Sequence, residues 1–378
     1  MTALTKAPQI TFSEASPGPV PGLFNVSGMA ERLRASPLFA IGPSEPGPAL
    51  RRGALLAVPV AVTLIVELGF DGPTKGALGI GASICGFAAM DAPAGPRAAW
   101  QAVAAVLIGL VAALGVLSSQ HAVTAVLAMG LLGVAAGYGF AVSLRVAICG
   151  LVVLLSLLIA QGLWLPAEDA GKALLWGTAG GALQGLWSLR VWVFADRAVE
   201  QPESGWSTRR ALAGLRSNFN LRSPAARHAL RFGTALALGV AVYHVFDLHD
   251  HGYWVPLTIL FVMRPERDES YHRILLRAVG TAAGLVLATA LAELVDSDVI
   301  DGILLAVAIG FAYGLLTVQY ALFTMAITIF VVLSVDIFGE PALQAAGQRA
   351  LGTAIGLLIV FFAFVIWPNP GEDPQPAR

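Results

Sequence analysis

Two arginines stand at or inside apolar runs of this sequence, where an ionisable side chain is costly to desolvate and function is the usual reason for keeping one. Arg349 falls about two turns into the last apolar run, and its planar guanidinium could hold a carboxylate in a bidentate pair. The competing role is a structural ion pair with Asp336 or Glu340 near the same membrane surface. Arg277 opens another apolar run, and in a first turn a long side chain can reach the interface, which favours snorkelling over binding. Tyr253, Trp254 and Pro256 begin a short apolar stretch. Trp254 could stack on an aromatic ligand and Thr258 could add a polar contact one turn on, although a membrane boundary collects Trp and Tyr in any case. Pro256 removes a backbone donor early in that stretch, which suits a broken helix beside a cavity. Tyr313 and Tyr320 are weaker candidates, since such residues are more often core or interface.

His244, Asp247, His249, Asp250 and His251 form a polar cluster between two apolar runs. Histidine titrates near neutrality, so His249, Asp250 and His251 could carry protons, while a solvated loop is the simpler account. Their spacing fits no standard metal signature, and no metal is expected. Glu67 and Glu293 end two apolar runs on the same side as that cluster and read as interfacial carboxylates. Cys85 and Cys149, each inside an apolar run, read as small hydrophobes. The sequence holds no phosphate loop, no Gly-x-Ser-x-Gly elbow and no His-Glu-x-x-His pair, so an enzyme and a bound cofactor are not expected.

What positions these residues is a membrane-spanning bundle. Hydrophobic residues are 57% of the 378 and charged ones 12%, about half the charge of soluble domains. A net charge of -1 argues against a nucleic-acid partner. Apolar stretches at 53–70, 74–90, 98–117, 122–141, 146–164, 173–193, 229–246, 252–263, 274–294, 302–317, 320–335 and 342–366 predict an all-α polytopic protein of about twelve transmembrane helices. With both termini cytoplasmic, twenty of the 23 basic residues fall on the cytoplasmic side, and Lys75, Lys172 and Arg349 are the exceptions. The Pro/Gly-rich segment 1–50 lacks the features of a cleavable signal peptide and reads as a loose tail.

The chain divides into six-helix halves at 51–193 and 229–367, joined by an arginine-rich linker at 194–228 and followed by a short tail at 368–378. Arg277-Ala-Val-Gly280-Thr281-Ala-Ala-Gly284 recurs as Arg349-Ala-Leu-Gly352-Thr353-Ala-Ile-Gly356, three helices later. An odd number of crossings reverses direction, so the second half reads as an inverted three-plus-three repeat of the kind secondary transporters use. Close helix packing accounts for the glycines equally well, and Pro256 and the Gly-Thr motifs are packing or hinge candidates. Gly177-Thr178-Ala-Gly180-Gly181 is a fainter echo in the first half.

At His251-Gly252-Tyr253-Trp254-Val255-Pro256-Leu257-Thr258, then Arg264-Pro265, then Arg277 with its Gly-Thr-x-x-Gly, residues 225–367 resemble the fusaric acid resistance family. Over 50–193 only the helix plan and Gly72-Pro73 are similar. The resemblance implies a bacterial inner-membrane exporter of aromatic acids, distantly similar to plant aluminium-activated malate channels. Together with the repeat it yields the expectation of a proton-coupled secondary exporter of small organic anions. Arg349, Trp254, Thr258, Arg277 and Tyr253 are its candidate contacts, and a periplasmic adaptor and a homo-oligomer are possible partners. A passive anion channel and a membrane scaffold without transport are the alternatives.

Overall fold

Apolar runs of this length satisfy their backbone polar groups by coiling into helices, and the described residues of the computed structural model form helices joined by short turns. The structure describes residues 45–68, 77–194, 208–218, 220, 223–248, 252–295, 297–337 and 342–368. The first half comprises α1 (Pro46–Leu68), α2 (Ala77–Gly86), α3 (Ala94–Ser118), α4 (Ala122–Tyr138), α5 (Leu144–Gly162) and α6 (Ala170–Phe194). A further helix, α7 (Thr208–Asn218), lies in the segment that the sequence suggested was only a polar linker. The second half comprises α8 (Pro224–Val245), α9 (Trp254–Val262), α10 (Arg267–Leu294), α11 (Asp298–Leu315), α12 (Tyr320–Ile337) and α13 (Ala342–Ile366).

The chain is thus an all-α polytopic membrane protein, and its helices fall close to the twelve predicted stretches. Six of them, α1, α3, α4, α5, α10 and α13, are each long and apolar enough to cross a bilayer. By contrast α2 and α9, at ten and nine residues, rise only about 15 Å in a hydrocarbon core of about 30 Å. They are half-helices rather than full spans. The outer surface carries the large apolar side chains that lipid tolerates, among them Ile65, Val103, Leu131, Val286 and Phe362.

The two halves pack by one plan. In each, the third helix lies against the sixth, the short second helix against the sixth, and the third against the fifth. The halves meet along two equivalent seams, α1 on α11 and α4 on α8. Both seams are backbone on backbone: a Cβ on Gly53 would stand 2.3 Å from Gly310 O, and one on Gly133 would stand 3.0 Å from Gly233 Cα. Close approach of this kind is how helices associate where lipid removes the hydrophobic drive.

The half-helices end inside the bundle, so their last carbonyls need partners. Tyr313 Oη on α11 donates to Ser83 O of α2 at 2.7 Å, and Tyr320 Oη at the start of α12 donates to Phe261 O of α9 at 3.1 Å. Both phenols are therefore structural caps. Tyr313→Phe is expected to leave Ser83 O unsatisfied and cost about 1–2 kcal/mol, read as a lowered thermal midpoint of the purified protein. Arg231 on α8 fastens the same end of the bundle, donating to Trp367 O at 3.0 Å and Pro265 O at 3.2 Å and lying 3.8 Å above the Phe364 ring.

Candidate functional site

The repeated Arg-Gly-Thr motifs do equivalent packing work on opposite sides of the second half. On α10, Cβ atoms at Gly280 and Gly284 would fall 2.3 Å from Ala321 O and 2.8 Å from Met325 O, so α12 presses directly on that backbone. On α13, Cβ atoms at Gly352 and Gly356 would fall 2.9 Å from Trp254 Cβ and 2.7 Å from Val255 O, so α9 presses there. Thr281 and Thr353 are buried beside these contacts. The echo on α6 has the same use, since a Cβ at Gly180 would stand 2.2 Å from Leu78 O of α2.

These close approaches bring four elements, α2, α5, α9 and α12, around a cavity of about 670 Å³, a volume typical of sites for small organic ligands. They are the second and fifth helices of each half. Ile84, Leu155, Ile159, Leu257, Ile327 and Val331 make its wall apolar. Phe87, Trp164, Tyr253, Phe261 and Phe330 supply the rings, and Ser83 and Ser334 are the uncharged polar side chains of the lining.

Among the described residues, the charged side chains of the lining are Arg277 and Arg349. Both are fully buried; among the described residues no hydrogen-bond partner reaches the guanidinium nitrogens of Arg349, while the Tyr320 phenol lies beside the Arg277 guanidinium. Aromatic faces back them instead: the Arg349 guanidinium carbon lies 5.4 Å from the Trp254 ring centroid, and that of Arg277 lies 5.3 Å from the Phe261 ring. A cation over a ring is partly compensated, by about 0.5–2 kcal/mol, far short of what an ion loses on leaving water. Arg349 therefore keeps its donor fork free for an anion, and Arg277 shares its own with the neighbouring Tyr320 phenol.

Several expectations change position here. Arg277 is not in a first turn: α10 begins at Arg267, and Arg277 lies ten residues, about 15 Å, along it. It cannot snorkel as a first-turn arginine would, because polar residues from Arg267 to Arg273 extend the helix beyond its apolar part. Arg349 lies seven residues into α13, as its sequence position suggested. The side chain of Asp336, and Glu340 entirely, lie outside the described residues. Tyr253 lines the cavity, lying against Gly162, where a Cβ would meet its ring at 2.4 Å.

Trp254 and Thr258 are not part of the lining. Trp254 is fully buried behind Arg349, and Thr258 Oγ1 donates to Trp254 O at 3.0 Å within α9. Pro256 does not break the helix, because it is the third residue of α9, where a missing N–H is harmless. His249, Asp250 and His251 lie outside the described residues, as do Gly72 and Pro73. His244, next to that cluster, stacks on Tyr243 at 4.5 Å and meets the edge of Trp164 at 5.2 Å.

Two features of the site escaped the sequence. The first is the share of the first half, which supplies Ser83, Phe87, Leu155 and Trp164. The second is Glu67, expected to be interfacial but largely buried. Its carboxylate accepts from Leu78 N at 2.7 Å and Gly79 N at 3.1 Å, capping the N-terminus of the half-helix that forms one cavity wall. At the other end of the cavity the rings of Phe87, Phe261, Phe323, Tyr313 and Tyr320 pack into one cluster, with neighbouring centroids 4.7–6.1 Å apart.

Compared with known proteins, residues 236–363 match the family described as fusaric acid resistance protein-like. An inner membrane protein of Escherichia coli named YccS is 35% identical over 156 residues, which is 41% of this chain and 22% of that protein. An uncharacterized protein of Haemophilus influenzae is 30% identical over 154 residues, 40% of this chain and 21% of the other. A third, from Neisseria gonorrhoeae, is 26% identical over 175 residues, 46% of this chain and 42% of its own length. The match thus spans about a fifth of the length of the first two relatives. No solved structure is significantly similar to the chain.

Proposed function

We propose, starting from the likeness of residues 236–363 to the fusaric acid resistance protein-like family, that this chain carries small organic anions, aromatic carboxylates foremost, across a bacterial inner membrane. The observation that supports this most is the pair Arg277 and Arg349, two buried cations facing one apolar cavity with no acidic residue among the described residues of its lining. A carboxylate entering there meets a fork of N–H donors in a medium of low dielectric, and its ring meets Phe87, Tyr253 and Phe261. An uncharged ligand would leave both guanidinium groups uncompensated.

In this proposal the substrate exchanges sides as the halves rock about the seams α1/α11 and α4/α8. The cluster of Phe87, Phe261 and Phe323 is the closed gate on the arginine-rich side, which the concentration of Lys and Arg assigns to the cytoplasm. Transport is then outward and drawn by the proton gradient, with His249, Asp250 and His251 as the proposed proton carriers. Two buried arginines in an open cavity also suit a passive anion channel, which is the second reading.

Uptake of labelled fusaric and hydroxybenzoic acids into inverted membrane vesicles, with and without an imposed proton gradient, tests both. Accumulation that follows the gradient is the expected result. Equilibration without accumulation would replace the exporter by the channel, and absence of flux for every organic anion tried would remove transport.

A further inference from the structure

The acids of the segment joining the halves, Asp196, Glu200 and Glu203, all precede its helix: from Ser204 through α8 to Phe246 the sequence holds six arginines and no Asp or Glu. Its helix α7 is only eleven residues long and would not persist alone in water, so something holds it. One edge is held by the bundle. Ala211, Gly214 and Asn218 are half-buried, a Cβ on Gly214 would stand 2.7 Å from Ala141 O, and Tyr138 Oη donates to Asn218 O at 3.1 Å. Asn218 Nδ2 closes the helix end on Gly214 O at 2.9 Å.

The rest of α7 faces outward in an order that water does not explain. Leu212 and Leu215, three apart and so on one face, are 51% and 36% exposed. Arg209 and Arg216, seven apart, form an exposed stripe on the flank of that face. The helix is anchored where α4 ends, at the boundary between apolar spans and a polar loop. A short helix with leucines flanked by arginines, fixed at that level, has the composition of one that lies in the plane of a bilayer.

We infer that α7 is a lipid-docking helix: it lies in the headgroup layer on the arginine-rich face, with Leu212 and Leu215 in the acyl boundary and Arg209 and Arg216 on the phosphates of anionic phospholipid. The partner follows from charge, since a zwitterionic headgroup offers no net attraction to a stretch without acids.

Two measurements on the full chain test this. In native mass spectrometry, phosphatidylglycerol should be retained in preference to phosphatidylcholine, and the double change Arg209→Gln, Arg216→Gln should weaken the tightest phosphatidylglycerol binding about tenfold or more with no change in thermal midpoint. In bilayers containing phosphatidylglycerol, a spin label on Leu212→Cys, in a Cys85→Ala, Cys149→Ala background, should be reached by molecular oxygen rather than by a water-soluble nickel chelate. Retention of phosphatidylglycerol that ignores the two arginines would overturn the proposal. So would a label at 212 that the nickel chelate reaches freely, which would leave the face to an acidic protein surface.

Discussion

Replacing Arg349 by Met is expected to give a protein that folds more stably and moves no carboxylate. The guanidinium is fully buried, its nitrogens have no hydrogen-bond partner among the described residues, and Trp254 compensates it only in part. Exchanging a buried, uncompensated cation for an unbranched apolar side chain of similar length removes a desolvation penalty, and a gain of about 1–3 kcal/mol is expected. The same change removes the donor fork from the anion, so flux should fall on the order of 10²-fold or more. Arg277→Met should behave alike. Thermal midpoints with and without an aromatic acid check both signs: the wild type should be stabilised by the acid and the variants should not. A variant that is less stable than wild type and still stabilised by the acid would make Arg349 a structural ion-pair partner, in the manner that Asp336 and Glu340 suggested.

Gly53→Ala should be among the most damaging single methyl groups in the bundle. Its Cβ would enter the α1/α11 seam 2.3 Å from Gly310 O, 2.6 Å from Gly314 N and 3.0 Å from Gly314 Cα, all backbone atoms that cannot rotate aside. The helices must separate, at a cost of about 3 kcal/mol. Gly347→Ala on α13 is the matched control: nothing lies within 4 Å of a Cβ there, so the better helix former should gain about 0.5–1 kcal/mol. Both are read as shifts of the unfolding midpoint in bilayers. If the two variants unfold alike, the seams are not what joins the halves.

The fold was legible because membrane helices announce themselves by length and apolarity, and the twelve stretches needed no knowledge of contacts. Arg349 was legible for a related reason, being out of character with its run, whereas Tyr253 suited a membrane boundary and was singled out through the resembling motif. Depth was harder to read. Arg277 looked interfacial because α10 carries polar residues from Arg267 to Arg273 past the apolar part, and hydropathy places the start of a span, not of a helix. Trp254 and Thr258 were read as ligand contacts, while the glycines opposite them show a packing contact. Phe87 and Trp164 are unremarkable as sequence, and only the convergence of α2, α5, α9 and α12 on one space makes them part of a cavity. Glu67 could not be told from Glu293, because what differs is a half-helix N-terminus folded back beneath one of them.

Both cavity cations stand on α10 and α13, helices of one half that pack on each other. Any rocking of the halves therefore carries the two charges together, and the described residues of the first half contribute none to the lining. The consequence is electrical. In the proposed cycle an empty cavity presents two positive charges to the membrane potential and one holding a monocarboxylate would present one, so loaded and unloaded transitions would feel different forces. A full crossing of the field is worth about 2.3 kcal/mol per charge at 100 mV. Voltage, at fixed concentrations on both sides, should then set which of the two transitions limits the cycle.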